Sequence, residues 1–303
     1  MTESQTPRHL LTIADLSAMD VGVILDLAQR DHLESVLRGS GVALIFEKPS
    51  NRTRQSMEVA VFQLGGHPVY TRGEEVGFDV REPVEDVTRV MAGYHAMLAA
   101  RVFEHAVVER MAAVSAVPVV NMLSETAHPL QALADVLTMQ QMHGPLRSKT
   151  VAFVGDYNNV ARSLAEACVL LGAELSLGCP LGFDASAAEL ERLNLLGAGR
   201  VRQTSRGIDA VRGAIAVHTD TWTSMGHESE KAARRRAFDG FGVDHSMMAA
   251  AAAGAGFYHC LPAYRGFEVT ADVIDGPNSH VIAQAHNRLH AARGALAFLM
   301  GVR

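Results

Sequence analysis

The sequence predicts an α/β fold: two doubly wound domains with central parallel sheets, linked by interdomain helices. Three observations point there. Short apolar, β-branched runs alternate along the chain with segments whose apolar residues recur at helical spacing. The runs are nearly continuous in their apolar residues, as strands covered on both faces are. Polar clusters fall directly after them, where the ligands of open α/β sheets sit.

Taken in order, Ser17–Asp20 (SAMD) reads as a capping box opening a first helix. The strand-like runs of the first half are VALIFEK (42–48), AMLAARV (96–102) and VPVVNM (117–122). Those of the second are TVAFVGD (150–156), ELSLGC (174–179), AIAVHTD (214–220), GFYHCLP (256–262) and HVIAQA (280–285). Pro49 ends the first run. Met57, Ala60, Val61 and Leu64 then share one face of a helix starting near Arg52 or Thr53. The alanines 249–253 read as a helix end stopped by Gly254. MHGPLRSK (142–149) gathers Gly, Pro and charge, and marks the boundary between the two halves. Two halves facing each other would form a cleft.

Bulk properties narrow the function. A chain of 303 residues suits two medium domains with sizeable cores. A net charge of -6 excludes the global basic field of a nucleic-acid binder, so any anion site must be local. Cys168, Cys179 and Cys260 are scattered and form no CxxC pair, which fits a reducing, cytoplasmic setting rather than a disulfide framework. The first residues lack the apolar core of a signal peptide. No apolar run approaches the roughly 18 residues of a membrane span. Neither a P-loop nor the glycines of a dinucleotide turn after VAFVGD are present, and no metal cluster or cofactor fingerprint appears.

Five segments carry candidate chemistry. In SNRTR (50–54), Ser50, Asn51, Arg52 and Thr53 sit at a helix N-terminus, where free N–H groups and the positive dipole end point outward. With Arg52 and Arg54 this makes a phosphate or carboxylate cradle. A serine-capped helix with solvated arginines fits the spacing equally well. In SETAHPLQALAD (124–135), His128 and Gln131 share a face at a helix start and suit a polarised carbonyl oxygen. Alone, His128 reads more readily as a plain helix-start residue. In GDYNNVARSL (155–164), Asp156, Asn158 and Asn159 fit turn and cap roles as well as ligand binding. In HTDTWTSMGHESE (218–230), Asp220 at a strand end is a candidate for an ammonium group, and Trp222 needs something to pack on. The arginines 234–236 read as a solvated helix face near Glu228 and Glu230. In YHCLPAYRG (258–266), Cys260 could present a thiol, yet a lone cysteine is more often a buried filler. His259 next to it points to the opposite strand face, which argues against a Cys/His nucleophile. Arg101 and Arg288 sit at strand-to-helix transitions.

Together, SNRTR, HPLQALAD, GDYNNVARSL, DTWTSMG, HCLP and NRLH resemble, in order and over nearly the whole chain, the aspartate/ornithine carbamoyltransferase family and its ornithine branch. The resemblance implies a carbamoyl-phosphate-binding domain (1–143, joined by the helix 287–303) and an ornithine-binding domain (144–286). It implies that Ser50, Asn51, Arg52 and Thr53 hold the phosphate with help from Arg101. His128, Gln131 and Arg101 would address the carbamoyl oxygen, and Cys260, Leu261 and Arg288 would complete that pocket. Asn159, Asp220, Ser224 and Met225 would bind ornithine, with Asp220 and Cys260 orienting the attacking amine. The implied catalytic set is Arg101, His128, Gln131, Asp220 and Cys260. No cofactor or metal is needed, and a homotrimer with neither nucleic-acid nor membrane partners is implied. Three positions depart from the family pattern. Asn51 stands where Thr is common, and Leu130 where Cys is frequent, at a position expected to face the core. Gly77 stands where a polar residue often reaches a neighbouring subunit's phosphate, a place Arg81 could take.

Overall fold

The computed structural model describes residues 7–222 and 231–303. The chain forms two compact units, Met1–Leu133 with Arg288–Arg303, and Ala134–Asn287.

The first unit runs α1 (Ala18–Gln29), β1 (Gly41–Phe46), α2 (Asn51–Gln63), β2 (His67–Arg72), α3 (Gly73–Val76), α4 (Val84–Ala92), β3 (His95–Arg101), α5 (His105–Val114), β4 (Val119–Leu123) and the start of α6 (Pro129–His143). The SAMD box caps α1 as expected: Asp20 N–H donates to Ser17 Oγ (3.1 Å), and Ser17 N–H donates back to Asp20 Oδ2 (3.0 Å). All strands are parallel, in the order β2-β1-β3-β4. Val42–Phe46 and Met97–Arg101 are buried without a break, which is why they read as continuous apolar runs. Ile45, Leu98, Ala100, Val108 and Met111 form one core, each large aliphatic side chain contributing about 1.5–3 kcal/mol by leaving water.

The second unit continues α6 and adds β5 (Thr150–Val154), α7 (Asn159–Leu170), β6 (Glu174–Gly178), α8 (Ala187–Asn194), β7 (Arg200–Thr204), α9 (Gly207–Ala210), β8 (Ala216–Thr219), α10 (Lys231–Ala237), α11 (His245–Ala250), β9 (Gly256–His259), α12 (Ala271–Ile274) and α13 (Val281–Leu299). Its sheet is again parallel, in the order β7-β6-β5-β8-β9. Val154, Val217, Phe238 and Phe257 pack in its core with Trp222, whose ring stacks on Phe238 at 5.3 Å. The chain enters this unit within α6 and leaves it within α13.

Three expectations are corrected. HVIAQA is not a strand but the first turns of α13; a short apolar run does not distinguish a buried strand from a buried helix. β2 and β7 were not expected. Both are edge strands with half-exposed residues, so neither carries a continuous apolar run. α11 ends at Ala250, before the alanine run is complete, and Gly254 takes φ +76° beyond it. The expected boundary 143/144 coincides with the end of α6, whereas the compact units part inside that helix. Among the described residues no helix is long and apolar enough to cross a membrane.

Both sheets place a switch in strand order beside the residues of interest. In the first, β1 and β3 are neighbours whose connections leave in opposite directions; β1 leads to Ser50 and β3 ends on Arg101. In the second, β5 leads to Asp156–Asn159 and its neighbour β8 ends just before Asp220. Such crevices at the carboxyl ends of strands are where open α/β sheets bind ligands.

Candidate active site

In the first unit, Ser50 adopts extended backbone and caps α2, accepting the Thr53 N–H at 3.3 Å. Its hydroxyl donates to Thr53 Oγ1 (3.1 Å). Arg288 Nη2 donates to the same oxygen at 2.6 Å, and Arg101 Nη1 stands 3.5 Å from it. Thr53, Arg101 and Arg288 are all buried. Three donors thus converge on one neutral oxygen that has two lone pairs. Two buried guanidiniums beside a helix N-terminus make a strongly anion-favouring corner. Arg52 is half-buried at the same helix start. His128 and Gln131 lie at the start of α6, 4% and 1% exposed, with the His128 carbonyl accepting the Gln131 N–H at 3.1 Å. Burial, and then the charges of Arg288 and Arg101, hold the His128 imidazole well below its ordinary pKa. It is a neutral donor, suited to a carbonyl oxygen rather than to pairing with a carboxylate.

In the second unit, Asp220 is buried and accepts from Asn158 Nδ2 (2.8 Å) and Cys260 Sγ (3.1 Å), one on each carboxylate oxygen. Asn158 also caps α7, its Oδ1 accepting the N–H groups of Val160 and Ala161 at 3.0 and 3.1 Å. One side chain therefore opens the helix and holds the carboxylate. Asn159 is the first residue of α7. The sequence predicts His259 on the face opposite Cys260, but β9 ends at His259 and strand alternation does not extend to Cys260. His259 Nδ1 accepts the Leu261 N–H at 2.9 Å, and its Nε2 lies 3.3 Å from Glu268. Leu261, at φ +58°, is held in the left-handed region by that bond. Asp220, His259 and Cys260 offer ligating atoms within 4.8 Å of one another. His259 Nδ1 is committed to the Leu261 N–H, so a metal bound through that nitrogen would have to break the bond that sets Leu261.

The structure thus brings Ser50, Thr53, Arg101 and Arg288 together, and separately Asp220 with Cys260. Asn51 is the exposed first residue of α2, and Leu130 faces the core at 4% exposure. Arg54 leaves the cradle: it pairs with Glu58 at 2.7 Å and lies over the Tyr70 ring, so it is a solvated surface arginine. Ser224 and Met225 lie outside the described residues. Asn158, for which cap and ligand-binding roles were equally open in the sequence, caps α7 and also holds Asp220. Gly77 takes φ +61°, and a β-carbon there would meet Arg81 Cγ and Cδ at 2.8 Å, so a larger residue would be strained by the backbone and would displace the Arg81 side chain. Arg81 Nη1 donates to the Glu75 carbonyl at 3.0 Å.

Residues 8–141 match the family model for the carbamoyl-P binding domain of aspartate/ornithine carbamoyltransferase, and residues 147–299 match that for its Asp/Orn binding domain. The chain belongs to the aspartate/ornithine carbamoyltransferase family. Among carbamoyltransferase relatives, the ornithine carbamoyltransferase of Thermus thermophilus is 43% identical over 97% of both chains. That of Acidothermus cellulolyticus is 44% identical over 97% of this chain and 96% of the relative. The solved ornithine carbamoyltransferase of Pyrococcus furiosus superposes with a TM-score of 0.92 at 38% identity, covering 98% of this chain and 99% of that one. The corner with buried arginines is built mainly from residues within the carbamoyl-P binding domain match, with Arg288 lying beyond it, and the Asp220 crevice lies within the Asp/Orn binding domain match.

Proposed function

We propose that this chain is an ornithine carbamoyltransferase, moving the carbamoyl group of carbamoyl phosphate to the side-chain amine of L-ornithine to give L-citrulline and phosphate. The observation that carries this reading is the convergence of Arg101 and Arg288 on Thr53 at the mouth of α2, with a neutral His128 close enough for both cations to depress its pKa. A dianionic phosphate needs the first feature and a polarised carbamoyl oxygen the second. Ser50, Asn51, Arg52 and Thr53 take the phosphate through hydroxyls and backbone N–H groups. Arg101, His128 and Gln131 donate to the carbamoyl oxygen as charge builds on it.

The acceptor's α-ammonium meets Asp220, assisted by Asn159 and the expected Ser224 and Met225. Cys260 and Asp220 orient the δ-amine, and Cys260, Leu261 and Arg288 complete the carbamoyl pocket. The neutral amine attacks the carbamoyl carbon, the new C–N bond forms, and the C–O bond to phosphate breaks. The amine proton leaves with phosphate or to solvent, so no covalent enzyme intermediate is required. Excluding water protects the labile phosphate anhydride. A cytoplasmic homotrimer belongs to the same reading; exposed apolar side chains on the first unit, Phe62 at 73% and Tyr94 at 75%, suit coverage by another copy.

The test is incubation with carbamoyl phosphate and a panel of amines. Citrulline from ornithine, with putrescine and aspartate inert, is expected. Product from putrescine instead would reassign the acceptor, and no product from any amine would overturn the transferase assignment.

A further inference from the structure

Ser124 follows β4 and is fully buried. Its N–H donates to the Ala127 carbonyl (2.9 Å), and the Ala127 N–H donates to its Oγ (3.2 Å), so this one residue folds the 124–127 turn from both ends. Asn121 Nδ2 donates to the same Oγ (3.1 Å) and lies 3.4 Å from the Ala127 carbonyl. On another side, Oγ lies 2.7 Å from His105 Nδ1. A serine hydroxyl has two lone pairs and one hydrogen. The two N–H donors take the lone pairs, so the hydrogen between Oγ and Nδ1 is the serine's own. His105 therefore accepts at Nδ1 and carries its proton on Nε2, which faces Glu109 at 4.0 Å. The His105 N–H also donates to Glu125 Oε1 (2.8 Å), tying the first residue of α5 to the second residue of the turn. His128 comes directly after that turn.

We propose that His105 is a positioning residue for carbamoyl transfer: by accepting the Ser124 hydroxyl it fixes the turn that aims His128 at the carbamoyl oxygen. This rests on the transferase assignment and adds a residue to it. A proton on Nδ1 would place a second hydrogen in the gap to Oγ, whose lone pairs are already taken. The required state is the neutral Nε2–H tautomer, and the required property of the side chain is a buried acceptor at that point. Glutamine can supply such an acceptor, and phenylalanine cannot.

Steady-state citrulline formation is measured for the wild type, His105→Gln, His105→Phe and Ser124→Ala, varying each substrate in turn. For His105→Phe and Ser124→Ala, kcat is expected to fall about tenfold, the scale of one ordinary hydrogen bond, and the carbamoyl-phosphate KM to rise. The ornithine KM stays within about twofold, and His105→Gln recovers most of the loss. Equal loss in the Gln and Phe variants, an unchanged kcat in both, or an equal rise in the ornithine KM would overturn the proposal. A second reading does not depend on any variant's catalytic yield. Long-range ¹H–¹⁵N spectra of the wild type at neutral pH, with the His105 signal assigned by its loss in His105→Gln, should show protonated Nε2 and bare Nδ1. An Nδ1–H tautomer or an imidazolium there would equally overturn it. A wild type that forms no citrulline sinks the transferase assignment, whereas an active wild type with indifferent variants sinks only the role of His105.

Discussion

Thr53 is a small residue with a large share of the candidate site. Its hydroxyl is the oxygen on which Ser50 and Arg288 donate and to which Arg101 comes close. Replacing it with valine keeps the shape and removes the acceptor. Losing a buried acceptor of charged donors costs on the order of 1–3 kcal/mol, so Thr53→Val should raise the carbamoyl-phosphate KM by roughly tenfold or more and leave the ornithine KM nearly unchanged. Steady-state kinetics decide it, and a rise confined to ornithine would contradict the assignment of this corner. His128 makes a pH statement. Its folded pKa lies well below the ordinary 6.5, so between those values the unfolded chain binds the proton and the folded chain does not. The neutral buried histidine therefore contributes fully above about 6.5, and its share of stability is lost as pH falls through that value toward the folded pKa. The wild type should lose melting temperature over this range more steeply than His128→Gln. Parallel curves for the two proteins would mean that His128 titrates normally in the fold.

At the scale of elements, the brace around Asp156 matters most. Arg234 Nη1 donates to Asp156 Oδ2 (2.6 Å) and to the Trp222 carbonyl (3.1 Å), with its guanidinium over the Phe183 ring. It therefore ties the end of β5 to the segment just after β8, two residues from Asn158 on one side and two from Asp220 on the other. In the sequence Arg234 was indistinguishable from Arg235 and Arg236, which are exposed; only the folded position of α10 separates the three. Arg234→Gln should weaken ornithine binding by about tenfold while sparing carbamoyl phosphate, with Arg234→Lys intermediate because a point charge replaces a planar fork. Calorimetry with each substrate checks it, and equal losses for both would show general unfolding instead. The helices and buried strands were legible because their burial imposes a period on the sequence. The edge strands β2 and β7 were not, since half-exposed residues carry no such period. The run 280–285 was misread because burial makes helix and strand equally apolar over so short a length.

For the whole molecule, a chain of net charge -6 binds an anionic substrate only by concentrating cations locally, and the buried Arg101 and Arg288 do so. Spacing alone could not choose between a capped helix and an anion cradle at Ser50–Arg54. The structure divides the answer: Ser50 does cap the helix, Arg54 is a surface residue, and Thr53 faces two buried arginines. Arg288 reaches that place from a helix that begins in the other unit, a long-range contact that no local pattern encodes. His105 was hidden for a related reason, because it acts on another side chain rather than on a motif of its own. The most direct measurement is transfer of label from ¹³C-carbamoyl phosphate to ornithine by the purified protein, followed by carbon NMR and phosphate release. The account predicts label in the ureido carbon of citrulline, one phosphate for each, and loss of transfer in Asp220→Ala with carbamoyl phosphate still raising that variant's melting temperature. Phosphate released without labelled citrulline, or no turnover of the labelled donor by the wild type, would contradict it.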